Sequence, residues 1–329
     1  KHFNIKSKMI KKFLISSCLL LSLVSFSQEG TSSPYSFYGI GETRFNGTVE
    51  SRSMGGISMI PDSTRINFQN PAGYGNIKWT NFTIGASSGR VKQKTETSNS
   101  TAKRTTLDYL ALAIPMGKFG AGFGLIPYSS VGYKIENINS DGLQNNKRFN
   151  GWGGMNRVFL GTGYRILPNL SVGASAYYNF GKIQTNSLEF RPYVPIGSRE
   201  LNVNELNGVS YNFGVMHQLK LKNKLSVFSS LYYTPKSTLT SNNERTIGTV
   251  AYNSNYDLSE VDSYDPVNTK TELQMPQKWA LGLGIGNARK WVVGAEVAIQ
   301  DAGKLFNNYN TLDNVTYGKF QKYSIGGYF

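Results

Sequence analysis

The sequence predicts an all-β protein, an antiparallel up-and-down transmembrane β-barrel, and three observations support this prediction. The composition combines 35 glycines, 20 tyrosines and 18 phenylalanines with 17% charged residues, whereas soluble domains carry about 25%. Ten segments alternate between apolar and small or polar side chains with the two-residue period of a strand. The connections between them are alternately short and long, which is typical of a barrel whose short turns face the periplasm.

The first part of the chain, residues 1–27, is predicted to contain upstream residues and a signal peptide. A basic stretch at 9–12 precedes an apolar run at 13–26, and the Ser-Phe-Ser at 25–27 supplies the small residues that signal peptidase accepts. The apolar run is too short for a membrane-spanning helix, which needs about 20 residues. Cleavage before Cys18, as in a lipoprotein, is the weaker alternative because it leaves almost no apolar core.

Composition and charge exclude several functional classes. The chain carries 35 lysines and arginines against 20 acidic residues, a net charge of +15. These basic residues lie mostly in predicted turns and loops without forming a stripe, so we expect no nucleic acid partner. The chain from residue 28 onwards has no cysteine and no run of about 18 apolar residues, which excludes disulfides and helical membrane spans. An exported chain of this kind needs a large core or a membrane to hold it.

Residues 28–78 are predicted to form a separate N-terminal unit ahead of the barrel. They contain no long alternating segment and are rich in turn and helix-cap residues, such as GG at 55–56, DST at 62–64 and NPAG at 70–73. No hydrophobic face in this stretch is large enough to fold alone. We therefore expect the unit to lie in the lumen of the barrel, where polar side chains of the wall can satisfy its backbone.

Residues 79–329 are predicted to form the barrel. In the segment WALGLGIG, Trp279 and Leu281 lie on one face while Ala280 and Gly282 lie on the other, as expected for a strand with one side toward lipid. The ten predicted strands lie near 79–93, 106–116, 119–134, 149–165, 170–186, 208–219, 225–238, 276–286, 291–301 and 316–329.

The connections between these strands distinguish a membrane barrel from a secreted soluble sandwich. A sandwich would also alternate, since one face of each strand packs on a core. Its strands, however, have about five or six residues, which is shorter than the segments found here. Short turns are predicted at 116–118, 166–169, 221–224 and 287–290, and long polar connections at 94–105, 135–148, 187–207, 239–275 and 302–315.

The N-terminal unit resembles one protein family. A signal peptide followed by Met-Gly-Gly, Asp-Ser-Thr and Phe-x-Asn-Pro-Ala-Gly just before the first strand is similar to the FadL-type outer-membrane transporters of long-chain fatty acids and other hydrophobic compounds. The resemblance is specific over 50–75 and is carried by architecture elsewhere. The matching residues are Gly55, Gly56, Asp62, Ser63, Thr64, Phe68, Asn70, Pro71, Ala72 and Gly73.

The resemblance implies that these residues form a hatch that plugs the barrel. It also implies that the third strand is kinked inward, which opens a lateral gap from the lumen to the membrane. The third predicted strand carries Gly124 and Pro127, and proline cannot donate to the hydrogen-bond ladder. These two residues therefore mark a candidate lateral opening, with an ordinary bulge near the outer rim as the equal alternative.

The number of strands departs from that family. Its members have about fourteen strands, within the range of outer-membrane barrels, whereas ten are found here. We therefore expect a fragment that lacks about four C-terminal strands. A complete ten-stranded barrel is the alternative, although a barrel of about eight strands is already filled by side chains and leaves little room for a hatch.

No catalytic, cofactor-binding or metal-binding residues are predicted. Histidine occurs only at His2 and His217, so haem and zinc sites lack ligands and no Ser-His-acid set can be assembled. The acidic cluster within 257–265 carries oxygens that could bind calcium, but its spacing fits a solvated loop better. We expect a protein that is not an enzyme and that needs no cofactor.

The predicted function is passive uptake of hydrophobic compounds, such as long-chain fatty acids, across the outer membrane of a Gram-negative bacterium. The predicted partners are a hydrophobic small-molecule ligand and outer-membrane lipid, while the ligand's identity and the oligomeric state are not predicted. In the alternative function, the chain is a non-transporting accessory or structural barrel of an envelope complex, and the hatch is a permanent stopper.

Overall fold

The computed structural model of the protein describes residues 33–94, 99–137, 145–253, 257–288, 290–301 and 318–329. The predicted signal peptide within 1–27 and the whole connection predicted at 302–315 lie outside the described residues. No helix within the described ranges is long and apolar enough to cross a membrane.

The described chain is built almost entirely of strands, which confirms the predicted all-β fold. Three short 3-10 helices span Pro34–Phe37, Pro71–Asn76 and Lys222–Lys224, and one α-helix, α1, spans Val49–Ser53. The strands are β1 Glu42–Thr43, β2 Asn81–Lys94, β3 Asn99–Met116, β4 Phe119–Asn137, β5 Asn146–Leu167, β6 Leu170–Phe190, β7 Ile196–Lys220, β8 Ser226–Thr234, β9 Ser237–Tyr252, β10 Leu258–Ser263, β11 Val267–Met275, β12 Lys278–Asn287, β13 Trp291–Gln300 and β14 Phe320–Tyr328.

The strands form one antiparallel up-and-down sheet. Its path runs β14-β13-β12-β8-β7-β6-β5-β4-β3-β2, and each of these ten strands corresponds to a strand predicted from the sequence. The path begins at β2 and ends at β14, and no pairing between these two strands is found within the described ranges. The long strand β7 pairs with β8 along one half and with β9 along the other.

The two faces of the sheet differ as the alternation predicts. On β12, Trp279, Leu281 and Leu283 are 46%, 54% and 55% exposed, whereas Ala280 between them is 2% exposed. The side chains of Val209, Tyr211 and other apolar residues of β7 are exposed in the same way. An exposed apolar face of this extent matches a wall that contacts hydrocarbon, and the small and polar side chains lie on the opposite, inner face.

The predicted long connections are wrong over most of their described residues. β3 already begins at Asn99, within 94–105, and β4 reaches Asn137 while β5 begins at Asn146, within 135–148. Within 187–207 the chain continues as the outer half of β7, and within 239–275 it forms β9, β10 and β11. These stretches were predicted as loops because polar residues occupy both faces, so the apolar alternation that marks a strand at membrane depth is absent. The β11–β9 ladder is nonetheless regular, with Thr269 opposite Asn243, and the β10–β9 ladder has one bulge, between Glu260 and Asp262.

The short turns at the other end of the strands are placed as predicted. Gly117, in the turn between β3 and β4, has φ +73°, a conformation that glycine adopts without steric cost. Asn223, in the turn between β7 and β8, has φ +64°, and asparagine is among the residues that tolerate this region.

Candidate functional site

Residues 33–80, here named the inner segment, pack against the inner face of the sheet. They contact glycines from β4 at Gly120 to β14 at Gly326, so the sheet curls around them. The segment has little regular structure of its own. Its single α-helix is held at its start by the Thr48 hydroxyl, which accepts a hydrogen bond from the backbone N–H of Ser51, the usual cap at a helix N-terminus.

The predicted Asn-Pro-Ala-Gly element is the most buried part of the inner segment. Asn70 caps the 3-10 helix, because its Oδ1 accepts from the backbone N–H of Ala72 at 3.0 Å. Its Nδ2 donates to the backbone carbonyls of Val215 on β7 (3.1 Å) and Leu231 on β8 (3.3 Å). Asn70 and Ala72 are both 0% exposed, so one side chain joins the inner segment to two strands of the wall.

Glycines on the inner face allow the backbone and rings of this element to approach the wall closely. The ring of Tyr74, which is 1% exposed, lies over Gly122 and Gly161. A Cβ atom at Gly161 would meet Tyr74 Cε2 and Ser175 Oγ, each at 2.5 Å. Pro71 lies against Gly173 in the same manner. The alternating glycines of the strands therefore form the surface against which the inner segment packs.

An aromatic cluster holds Phe68 beside this glycine surface. Its ring lies 5.1 Å from the ring of Tyr109 on β3 and 5.6 Å from that of Phe159 on β5. Its carbonyl accepts a long hydrogen bond, 3.5 Å, from the hydroxyl of Tyr177 on β6. The neighbouring Gln69 carbonyl accepts from Asn212 Nδ2 on β7 at 2.8 Å.

The Gly-Gly pair lies at the opposite wall of the sheet. Gly55 and Gly56 have φ of +75° and +77°, which side chains other than glycine rarely adopt, and Gly55 lies against the backbone of Ile325 on β14. Ser58 follows and donates from its backbone N–H (2.8 Å) and its Oγ (2.6 Å) to Glu296 Oε2 on β13. Glu296 is 3% exposed, and these two bonds compensate its buried charge.

The Asp-Ser-Thr element forms a compact turn near the short-turn end of the sheet. Asp62 Oδ1 accepts from the backbone N–H (2.7 Å) and Oγ1 (2.8 Å) of Thr64, and its carboxylate pairs with Arg65. Burial acts to raise the pKa of Asp62, but the hydrogen bonds from Thr64 and Arg65 outweigh it and hold that pKa below its ordinary value of 3.8. The carbonyl of Ser63 accepts from the Lys78 N–H at 2.9 Å.

The candidate lateral opening lies where β3 and β4 separate. Their pairing extends from Met116 opposite Phe119 to Leu110 opposite Leu125, with Gly124 inside the paired region. Beyond this point the described residues of β3 pair with β2 alone. Pro127 lies two residues past the last pair and is followed by a bulge against β5. The structure thus contains both a bulge and an end of pairing at Pro127.

The inner segment enters the space between these two strands. β1 pairs with β4, with Glu42 opposite Ser130 and Thr43 opposite Ser129. Arg44 follows β1, and its backbone N–H donates to the Tyr128 carbonyl at 2.8 Å. A recess of about 1000 Å³ lies at this place, with outward-facing residues of β5, β6 and β7 in its wall.

A second cavity of about 320 Å³, here named the chamber, lies between the inner segment and the inner face of the sheet. Arg157 on β5 is 8% exposed, and its guanidinium lies 3.8 Å from the ring centre of Tyr128 and 4.8 Å from that of Tyr177. Its Nε donates to Asn179 Oδ1 at 3.1 Å. The other basic residues of the chamber wall are Arg44, Lys278 and Lys322.

Three of these cations form no close ion pair with any described residue, although the buried carboxylate of Glu296 on β13 lies near enough to Lys278 to attract it. Within the part of the chain that the structure describes, neither Arg157, Lys278 nor Lys322 forms an ion pair with a carboxylate. Lys278 lies 5.6 Å from the ring centre of Tyr232, and Lys322 lies 5.0 Å from that of Phe45. The chamber therefore combines positive charge with aromatic surface.

Sequence reasoning missed the charged residues of the inner face. A signal for them exists, because each occupies an inward position of an alternating segment, where a charge is costly unless it is used. The missed residues on the strands are Asp108, Arg157, Lys278, Glu296 and Lys322. Arg44, which lies in the inner segment and carries no such signal, was missed as well. His217 lies near a short turn, with its Nε2 3.2 Å from Asn169 Nδ2. No cluster of His, Cys, Asp or Glu that could hold a metal ion occurs among the described residues.

Comparison with known structures supports the fold. A crystal structure of the toluene transporter TodX of Pseudomonas putida aligns with a TM-score of 0.55 at 15% identity, covering 88% of this chain and 78% of TodX. A second TodX structure gives 0.56 at 16% identity, covering 86% and 80%. No curated protein matches the sequence. These neighbours share the fold that the resemblance to transporters of hydrophobic compounds implies, but they do not identify a substrate.

The family comparison identifies a family other than the FadL-type transporters that the N-terminal unit resembles. The model of the BamG family matches residues 9–329, almost the whole chain. This match lends no support to fatty acids as the substrate. The chain belongs to the BamG family.

Proposed function

We propose that the protein is an outer-membrane channel for the passive uptake of hydrophobic compounds, with anionic amphiphiles such as long-chain fatty acids as its substrate class. The observation that carries this proposal is the chamber, where Arg157, Lys278 and Lys322 line one cavity of about 320 Å³ and only Lys278 has a buried carboxylate, that of Glu296, in its vicinity among the described residues. The fold shared with a toluene transporter agrees with such a channel, and with a protein that is not an enzyme.

The chemistry of the chamber fits a molecule with one negative end and an apolar body. Cations held close together away from bulk water raise each other's energy, and a bound anion lowers it. A carboxylate can accept hydrogen bonds from Arg157 and from the lysines at the same time. The rings of Tyr128, Tyr177 and Tyr232 provide apolar surface for the rest of the ligand.

The proposed route has three parts. A ligand enters from the end of the sheet that carries β9, β10 and β11, and reaches the chamber. The inner segment, with the hatch residues that the family resemblance implies, blocks the way toward the short turns. The ligand then leaves by displacement of the inner segment or laterally, past Pro127, where β3 and β4 separate. No step needs a cofactor or an energy source.

The test compares two solutes of equal length, a long-chain fatty acid and the corresponding alcohol. Uptake is measured in a Gram-negative host that lacks its own fatty acid channel, and binding is measured on purified protein in detergent. We expect the protein to raise uptake of the acid. The triple variant Arg157→Gln, Lys278→Gln, Lys322→Gln should lose at least tenfold in affinity for the acid and little for the alcohol.

A matched control removes three exposed cations outside the chamber, Lys92, Lys147 and Lys220, by the same substitution to glutamine. This control should behave as the unaltered protein does in both assays. If the unaltered protein neither binds nor takes up either solute, the proposed function is wrong. If the control triple loses as much affinity as the chamber triple, general surface charge and not the chamber attracts the acid.

A second candidate function is a non-transporting accessory barrel of an envelope complex. The observation that favours it is the fastening of the inner segment, which hydrogen-bonds to β7 and β8 through Asn70 and to β13 through Ser58. A segment fixed in this way can act as a permanent stopper. Stable co-purification with partners in fixed ratio from the native membrane, together with no binding of either solute, would favour this function over uptake.

A further inference from the structure

The side chain of Arg44, in the inner segment, bridges the gap between β3 and β4. Arg44 Nη1 donates to Thr106 Oγ1 on β3 at 2.9 Å, and its Nη2 donates to Ser130 Oγ on β4 at 3.2 Å. Its Nη1 also lies 4.0 Å from Asp108 Oδ1 on β3. The Arg44 side chain is 13% exposed. One guanidinium thus contacts both strands at the place where their own hydrogen bonds have ended.

The same residue separates the outer recess from the chamber. Arg44 lines the recess of about 1000 Å³ on the outward side, together with Pro127, Trp152 and Phe180. It also lines the chamber of about 320 Å³. No other residue lines both cavities in the described part of the chain. The Arg44 side chain therefore lies in the direct line from the chamber to the outer surface of the sheet.

The contacts of Arg44 are unequal on the two sides of the gap. Toward β4 it is anchored by its backbone and by the pairing of β1 with Ser129 and Ser130. Toward β3 its contacts include the hydrogen bond to Thr106 and the longer contact to Asp108. Asp108 keeps other partners when Arg44 leaves, because it accepts from Ser87 Oγ at 2.9 Å and pairs with Arg52 at 3.6 Å. Arg44 can therefore separate from β3 while the buried carboxylate of Asp108 keeps other partners.

We propose that Arg44 is a latch that closes the passage between the chamber and the outer recess. This inference rests on the proposed uptake function and adds its regulation. Lateral release of a ligand requires the Arg44 guanidinium to leave Thr106 and Asp108, while its anchorage on β4 stays in place. An exposed ion pair between Arg104 on β3 and Glu42 on β1, at 3.9 Å, spans the gap beside the latch.

The first test measures the width of the gap directly, without any transport. Spin labels on cysteines at Thr105 on β3 and Lys134 on β4, both exposed, report the distance between the two strands. The only natural cysteine is Cys18, in the predicted signal peptide. We expect one narrow distance distribution in the unaltered protein and a broader distribution, shifted outward by several ångström, in Arg44→Ala.

The second test measures uptake of the long-chain fatty acid in the same variants. Arg44→Ala should raise the uptake rate, on the order of tenfold, and Arg44→Lys should lie between it and the unaltered protein because an ammonium cannot bond both strands in the fork geometry. Arg148→Ala is the matched control. It removes a cross-strand pair with Glu136, at 3.0 Å, from strands that remain hydrogen-bonded, and both readouts should be unchanged.

The outcomes separate the latch from the uptake function. If the distance distribution of Arg44→Ala equals that of the unaltered protein, the latch is wrong whatever the uptake. If the gap widens but no variant takes up the acid, the latch stands and the uptake function fails. Should Arg44→Ala fail to fold, the double variant Thr106→Val, Ser130→Ala removes the two hydrogen bonds while leaving Arg44 in place, and the same widening is expected.

Discussion

The substitution Gly161→Ala tests whether the inner segment packs against the glycines on the inner face of the sheet. The added Cβ would lie 2.5 Å from Tyr74 Cε2 and 2.5 Å from Ser175 Oγ, about 1 Å closer than ordinary carbon contacts. Tyr74 is 1% exposed, so its ring has no free space into which it can turn. The ring and the 3-10 helix that carries it must therefore move away from β5.

The cost follows from the size of the overlap. Adding one methyl group to a well-packed core costs about 1–3 kcal/mol. The added methyl group destabilises only the state in which the inner segment packs against the sheet. This cost therefore lowers the free energy needed for the inner segment to move away from the sheet. Each 1.4 kcal/mol is about a factor of ten in an equilibrium, so the open fraction should rise about 5- to 150-fold.

The assay is thiol labelling of a cysteine placed at Ala72. This residue is 0% exposed, and labelling through transient opening reports the open fraction. Gly89→Ala on β2 is the matched control, since the nearest atom to its new Cβ is Arg104 Nε at an ordinary 3.7 Å. Labelling should accelerate in Gly161→Ala and stay unchanged in Gly89→Ala. Equal labelling rates in the two variants would refute the packing of Tyr74 against β5.

Three further predictions concern the polar contacts of the inner segment. Asn70→Asp keeps the acceptor of the helix cap but loses the two hydrogen bonds that the Asn70 amide donates to β7 and β8. It should lower the free energy of unfolding in urea by about 1–3 kcal/mol, as much as Asn70→Ala does. An Asn70→Asp variant as stable as the unaltered protein would contradict this. Ser58→Ala removes the 2.6 Å bond to Glu296 and should cost about 1.5–3 kcal/mol, whereas Ser53→Ala, at an exposed position, should cost little. The pKa of Asp62 in the folded protein lies below 3.8, so its stabilisation is present above that pH and is lost as the pH falls through the folded value. The protection of the amides at 62–65 against hydrogen exchange, measured relative to the intrinsic rate at each pH, should therefore fall in acid, and Asp62→Asn should remove this acid-dependent change.

The wall of the barrel could be predicted from the sequence because its signal is local. Alternation such as Trp279, Ala280, Leu281 assigns each side chain to a face without knowledge of any other strand, and the ten strands follow from it. Where apolar residues are few and do not alternate regularly with polar ones, as in β9 to β11, this signal is absent and the prediction failed. Strand pairing there depends on backbone hydrogen bonds, which leave little trace in residue type.

The candidate site could be predicted only in part, for a related reason. The Asn-Pro-Ala-Gly and Asp-Ser-Thr elements carry turn chemistry that is visible within a few residues. The contact between Arg44 and Asp108 joins positions far apart in the chain, and the chamber takes its cations from β5, β12 and β14. Such a site depends on how the sheet curls around the inner segment. An inward charge such as Arg157 is the feature that sequence reasoning could have used.

The two possible exits from the chamber differ in what must be broken. An exit toward the short turns requires the inner segment to move, which breaks the bonds of Asn70 to two strands, of Ser58 to Glu296 and of Asn212 to Gln69. Each leaves a buried polar group without its partner, at about 1–3 kcal/mol apiece. The lateral exit requires Arg44 to release β3, where Asp108 retains Ser87 and Arg52. For the proposed uptake function, the lateral exit is therefore the one that needs less free energy, and the inner segment can remain seated while a ligand passes.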